Sequence, residues 1–174
     1  MAAFLKSRDA ARMDPVLRML LASDGTITSA LHALLLTLIG VEVVHQTEMR
    51  LDAATAGFLD AEPGSNALSR EAWLTADGQR RVHASSIILL ETLDRSLLQA
   101  FQSRHKPLGL LLQESGRTVT RDRLQIGCLS DPEAIKTLGS GIAGPIWMRR
   151  YRMSLGSKAA AFIQEQFIGP PFRP

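Results

Sequence analysis

The chain has 174 residues, of which 45% are hydrophobic, a size and composition that predict one domain spanning residues 1–174 with a sizeable core. Its one cysteine, Cys128, excludes an internal disulfide and fits a reducing, cytoplasmic compartment. A net charge of +3 and a pI near 9.5 come without clustered basic residues, zinc-finger, RNP or basic-helix patterns, so no nucleic acid is expected, while an anionic small molecule suits a mildly basic protein.

Asp14 before Pro15 offers an N-cap with proline at the first helical position, and Val16, Leu17, Met19, Leu20 and Leu21 supply an apolar face, so a helix is predicted to run to about Asp24 and Gly25. Thr28 opens a second helix through about Ile39, with Leu31, Leu34, Leu35 and Leu38 at helical spacing and Gly40 closing it. The longest apolar run, residues 33–44, is broken by Thr37, Gly40 and Glu42. It is too short for a bilayer, and no signal peptide precedes it, so no membrane partner is expected.

Residues 41–51 read as a strand with Val41, Val43 and Met49 on one face, and residues 52–60 as a loop with a helical turn. Strands at 68–76 and 79–90 flank Asp77-Gly78, a strong hairpin signal. Helices are predicted at 93–103 and 107–112, a strand at 117–126 and a short helix at 131–138. A last hairpin joins residues 146–155 to 159–168 around Gly156. Six strands, mostly joined by hairpins, with helices at the N-terminus and in two insertions, define an α+β fold on an antiparallel sheet.

Two charges fall in apolar rows. Alternation puts Arg70 with Leu68, Ala72 and Leu74, and Glu165 with Ala161, Ile163 and Phe167. An ion buried alone costs several kcal/mol, so each needs a partner or a ligand. A structural salt bridge between Arg70 and Glu165 satisfies that requirement as well as a functional site does.

Four ordered segments carry a resemblance. These are REAWLTADG (Arg70 to Gly78), PLG with TRDRLQIG (Pro107 to Gly109, Thr120 to Gly127), WMRRYRMSLGSKA (Trp147 to Ala159) and QEQFIGP (Gln164 to Pro170). Together they resemble the chorismate pyruvate-lyase family, which implies a chorismate lyase-like fold and a cofactor-free carbon-oxygen lyase taking chorismate to 4-hydroxybenzoate and pyruvate. The resemblance implies that Arg70 binds the ring carboxylate and that Glu165 contacts the 4-hydroxyl. It further implies that the backbones of Leu108 and, in the loop between the first two helices, Ile27 line the site. A guanidinium holds a carboxylate through bidentate, charge-assisted bonds that lysine matches poorly, and a buried carboxyl suits acid/base work. Arg80 and Arg81 are expected at the surface.

The remaining chemistry is sparse. His32, His45, His83 and His105 lack metal-site spacing, so no metal is expected, and His32 reads as a partly exposed helix residue. Cys128 reads as a buried small hydrophobe. Gly139-Ser140-Gly141 with Gly144 reverses the order a phosphate loop requires. Arg149, Arg150 and Arg152 are read as mostly solvated, with Arg149, on the face of Trp147, Tyr151 and Met153, within reach of a second carboxylate. The alternative function is a non-catalytic, acid-binding effector domain like those of winged-helix regulators. The stretch before Val41 reads as too short and apolar for their DNA-binding module, and a monomer suffices.

Overall fold

The computed structural model describes residues 2–102, 107–139, 142 and 145–168. Six strands, β1 (Gly40–Arg50), β2 (Asn66–Ala76), β3 (Gln79–Leu89), β4 (Val119–Leu129), β5 (Ile146–Leu155) and β6 (Lys158–Phe167), form one sheet in the order β1-β2-β3-β6-β5-β4. Every neighbouring pair is antiparallel. The predicted hairpin closes through Asp77 and Gly78, with φ of 50° and 75°. Two successive positive φ values are those of the turn whose twist matches its strands.

Two helix pairs cover one face of the sheet. At one end, α3 (Pro15–Ala22) and α4 (Ile27–Leu35) bring Leu17, Leu20, Leu21 and Leu31 onto Leu74, Val82 and Phe167. At the other, α6 (Arg95–Gln102) and α7 (Leu108–Glu114) bring Leu97, Phe101, Leu111 and Leu112 onto Leu68, Ile88 and Met153. The opposite face carries α5 (Ala53–Leu59), packed on Ala67 and Leu89, and α8 (Pro132–Lys136), whose Ile135 meets Trp73 and Ile146. Two short helices, α1 (Ala2–Leu5) and α2 (Arg8–Arg12), precede the predicted first one.

Several boundaries and faces differ from the sequence reading. The helix expected to reach Ile39 stops at Leu35, because Leu36 turns left-handed at φ 53°; Gly40 instead begins β1. Residues 53–59, expected as a loop with a turn, are α5, capped by the Asp52 carboxylate on the Thr55 N–H at 2.7 Å. Met49 does not share a face with Val41 and Val43. The β1–β2 register shifts between Val43 and His45, and one extra residue in a strand inverts the parity of all that follow.

Cys128 is exposed, not buried, because it stands near the end of β4, an edge strand. Arg80 lies at the surface on Glu42, as expected, whereas Arg81 is half-buried. His32 is exposed, and its Nδ1 lies 2.7 Å from the Thr37 carbonyl oxygen. Ser140, Gly141 and Gly144 of the glycine-rich segment, Ser103 of the predicted helix, His105, and Gly169–Pro170 of the last motif fall outside the described residues.

Candidate functional site

The seam between the two helix pairs is where the sheet face carries its smallest side chains. Register sets Ala72 of β2 beside Ala84 of β3, Ala84 beside Glu165 of β6, and Glu165 beside Arg149 of β5. On the next same-face rung stand Arg70, Ser86, Ile163 and Tyr151 in the same order. Ala72, Ala84 and Ser86 leave a depression between Arg70 and Glu165, which the packing of larger side chains would fill.

Two strand spacings and one rung separate Arg70 from Glu165, roughly 12 Å at the backbone. Their side chains line the same cavity. Its roof comes from two loops, Thr26–Thr28 at the start of α4 and Pro107–Gly109 at the start of α7, with Arg121 and Tyr151 at the side. All four residues singled out in the sequence, Ile27, Arg70, Leu108 and Glu165, therefore border one cavity. Ile27 and Leu108 are the first residues of their helices, positions whose N–H groups have no acceptor within the helix.

Arg70 is 2% exposed, and its Cζ sits 5.8 Å from the centroid of the Phe101 ring. Glu165, 6% exposed, accepts from Arg149 Nε at 2.6 Å on Oε2 and from the Tyr151 hydroxyl at 3.3 Å on Oε1. The ion pair of Glu165 is thus with Arg149 and not with Arg70, the structural alternative that strand alternation left open. Arg149 is correspondingly not solvated. It is 1% exposed and also donates through Nη1 to the carbonyls of Leu20 (2.9 Å) and Ser23. β5 lies between β6 and β4, so Arg149 faces its register partner Glu165 under the end of α3, where helix carbonyls lack internal donors and favour a cation.

Burial works against the Arg149 charge, but Glu165 and Tyr151 more than offset it, holding its pKa above the ordinary value. Burial, reinforced by the nearby Glu165 charge, pushes the Tyr151 phenol well up, although Arg149 and Arg121 act in the opposite sense. At neutral pH Tyr151 is therefore a neutral hydroxyl able to donate to Glu165. The arrangement supplies a carboxylate oxygen held from behind, a phenol beside it and a guanidinium on the other side of the cavity floor. Among the described residues no group of three or more His, Cys, Asp or Glu side chains could hold a metal ion.

Sequence reasoning did not single out Tyr151 or Arg121 as site residues. Tyr151 was within reach, since it shares a face with Arg149 two positions away. Arg121 was not: the β4–β5 register shifts between Asp122 and Gln125, and Arg123 takes φ 53°. That irregularity puts both Arg121 and Ile126 on the cavity face, a placement simple alternation forbids.

The enclosed space is about 50 Å³, enough for a few waters at about 10–15 Å³ each. The two roof loops lie over this space. They meet at Gly109, where an added Cβ would come within 2.8 Å of Thr26 Cγ2. Gly109→Ala is expected to force them apart and cost about 1–3 kcal/mol by overpacking. Adding Thr26→Ser, which deletes Cγ2, should recover most of that loss in thermal or denaturant unfolding.

The six-stranded antiparallel sheet and its covered cavity define the class first, a chorismate lyase-like α+β fold. The same fold occurs in solved structures that resemble this one at low identity. The effector domain of PhnF from Mycobacterium smegmatis aligns with TM-score 0.66 and 19% identity, over 83% of this chain and 89% of that one. The C-terminal domain of the histidine utilization repressor from Pseudomonas syringae pv. tomato aligns with TM-score 0.58 and 16% identity, over 75% and 92%. A GntR-family transcriptional regulator from Bacillus cereus gives TM-score 0.59 and 8% identity, over 78% and 95%. No curated protein matches in sequence. The family is nonetheless specific: residues 21–171 match the family described as chorismate pyruvate-lyase Rv2949c-like, and the chain belongs to it.

Proposed function

We propose that the protein is a chorismate pyruvate-lyase that works without a cofactor. The observation that carries this reading is the convergence of Ile27, Arg70, Leu108 and Glu165 on one cavity in a chain of that family. Arg70 binds the ring carboxylate at C1, Glu165 contacts the hydroxyl at C4, and the backbones of Ile27 and Leu108 close over the ring. In the reaction the C3–O bond to the enolpyruvyl group and the C4–H bond break. The ring gains its last double bond, and a proton reaches the enolpyruvyl methylene, which leaves as pyruvate. Aromatisation supplies the driving force, so the protein's task is to fix the substrate with its C4 side against Glu165 and Tyr151 and to exclude water.

The fold neighbours are domains of transcription regulators, which favours a second reading in which the cavity binds an acid without converting it. Incubation with chorismate in the presence of EDTA separates the two. The lyase reading expects 4-hydroxybenzoate and pyruvate in equal amounts, undiminished by the chelator. Unchanged chorismate, or activity that EDTA abolishes and a divalent metal restores, contradicts it.

A further inference from the structure

Arg121 reaches the cavity from the edge strand β4. Its register partner is Met153, one same-face rung beyond Tyr151. The guanidinium carbon lies 6.0 Å from the centroid of the Tyr151 ring, and the hydroxyl of that ring holds Glu165 Oε1. Arg121 therefore belongs to the Glu165 side of the cavity, whereas Arg70 comes from β2, with three strands between β2 and β4. Nη1 donates to the Asp24 carbonyl at 3.0 Å and Nη2 to Thr26 Oγ1 at 3.4 Å. These bonds use two of the five N–H groups of a guanidinium, and Nε, although buried, has no hydrogen-bond acceptor among the described residues. Arg149, considered from the sequence for a second carboxylate, is committed to Glu165, Leu20 and Ser23 and does not border the cavity.

We infer that Arg121 is the anchor for a second carboxylate, which makes the cavity selective for dicarboxylates with one acid group at each end. The inference rests on the lyase reading above for the orientation of the ring. With the C1 carboxylate at Arg70 and the C4 hydroxyl at Glu165, the enolpyruvyl ether on C3 leaves the ring next to C4. Its carboxylate then falls beside Glu165 and Tyr151, within the territory of Arg121. A guanidinium there matches the carboxylate in charge and in fork geometry. The product 4-hydroxybenzoate lacks this group and makes no use of Arg121.

Calorimetric titration with two unreactive acids tests this. The probes are 4-hydroxybenzoate, with one carboxylate, and 3-(carboxymethoxy)-4-hydroxybenzoate, with a second carboxylate on an ether beside the 4-hydroxyl. Arg121→Gln is expected to weaken the dicarboxylate by about 10- to 100-fold, the worth of charge-assisted hydrogen bonds, and 4-hydroxybenzoate by less than about threefold. Arg121→Lys should restore part of the dicarboxylate affinity. Equal losses for both acids would make Arg121 a mere tether of the Asp24–Thr26 loop, and no loss for either would make it a bystander; both outcomes overturn the inference. Pyruvate release by the unaltered protein is read separately, so a protein that fails as a lyase is distinguished from one that turns over chorismate without using Arg121.

Discussion

Glu165→Gln is expected to slow chorismate turnover by roughly a hundredfold to ten-thousandfold, the usual consequence of losing a positioned acid/base group. The amide retains the shape of the carboxylate but has only one acceptor oxygen. Arg149 Nε and the Tyr151 hydroxyl now donate to separate oxygens of Glu165, so with the amide oxygen kept on Arg149 the bond to Tyr151 must reverse, the amide NH2 donating to the phenol oxygen. Removing the charge also leaves Arg149, 1% exposed, as a buried cation without its counter-ion, at a cost of about 3–5 kcal/mol. A lower melting temperature should therefore accompany the slower rate. Turnover referred to the concentration of folded, 4-hydroxybenzoate-binding sites separates the two effects. Near wild-type single-turnover rates on that basis would make Glu165 a spectator held in place by its ion pair.

The second large effect is expected at Arg70. On the proposed reading its guanidinium, 2% exposed on the cavity floor, would meet a ligand carboxylate away from bulk water, where truncating one partner of a charge pair costs about 2–5 kcal/mol. Arg70→Ala should accordingly weaken 4-hydroxybenzoate by roughly 30-fold to several thousandfold. Arg70→Lys should recover only part, because the fork geometry is lost. A variant that loses stability but titrates with unchanged affinity would give Arg70 a structural role instead.

The two effects differ in kind, which follows from where each residue sits. Arg70 should act on product and substrate alike, whereas Glu165 should act chiefly on the chemical step. Arg121, at the edge of the sheet, should act on the substrate's extra carboxylate alone. Three guanidiniums near one cavity thus take three different roles in this reading, and that of Arg149 is to hold the carboxylate of Glu165.

The burial of Arg70 and Glu165 was legible in the sequence because β2 and β6 are interior strands whose side chains alternate along these rows. Arg70 and Glu165 fall in apolar rows that the structure buries, whereas the Asp77-Gly78 turn alone does not set Ser86 beside Arg70, because the β2–β3 register shifts between Leu74 and Thr75. The partner of Glu165 was not legible. Which arginine faces a carboxylate depends on which strands are neighbours, and β6 lies between β3 and β5, not against β2. The sheet's edges were the least legible part. Register shifts in β1 after Val43 and in β4 after Asp122 invert side-chain parity, which misplaced Met49 and hid Arg121. Exposure of an edge-strand end likewise put Cys128 at the surface.

The most direct measurement is the structure of the complex with 4-hydroxybenzoate. The ring is expected in the cavity between Ala72, Ala84 and Ser86 and the two roof loops. Its carboxylate should lie within hydrogen-bond distance of the Arg70 guanidinium, and its phenolic oxygen should meet Glu165. A ring bound outside this cavity, or bound with its carboxylate at Arg121 and its hydroxyl toward Arg70, would contradict the account.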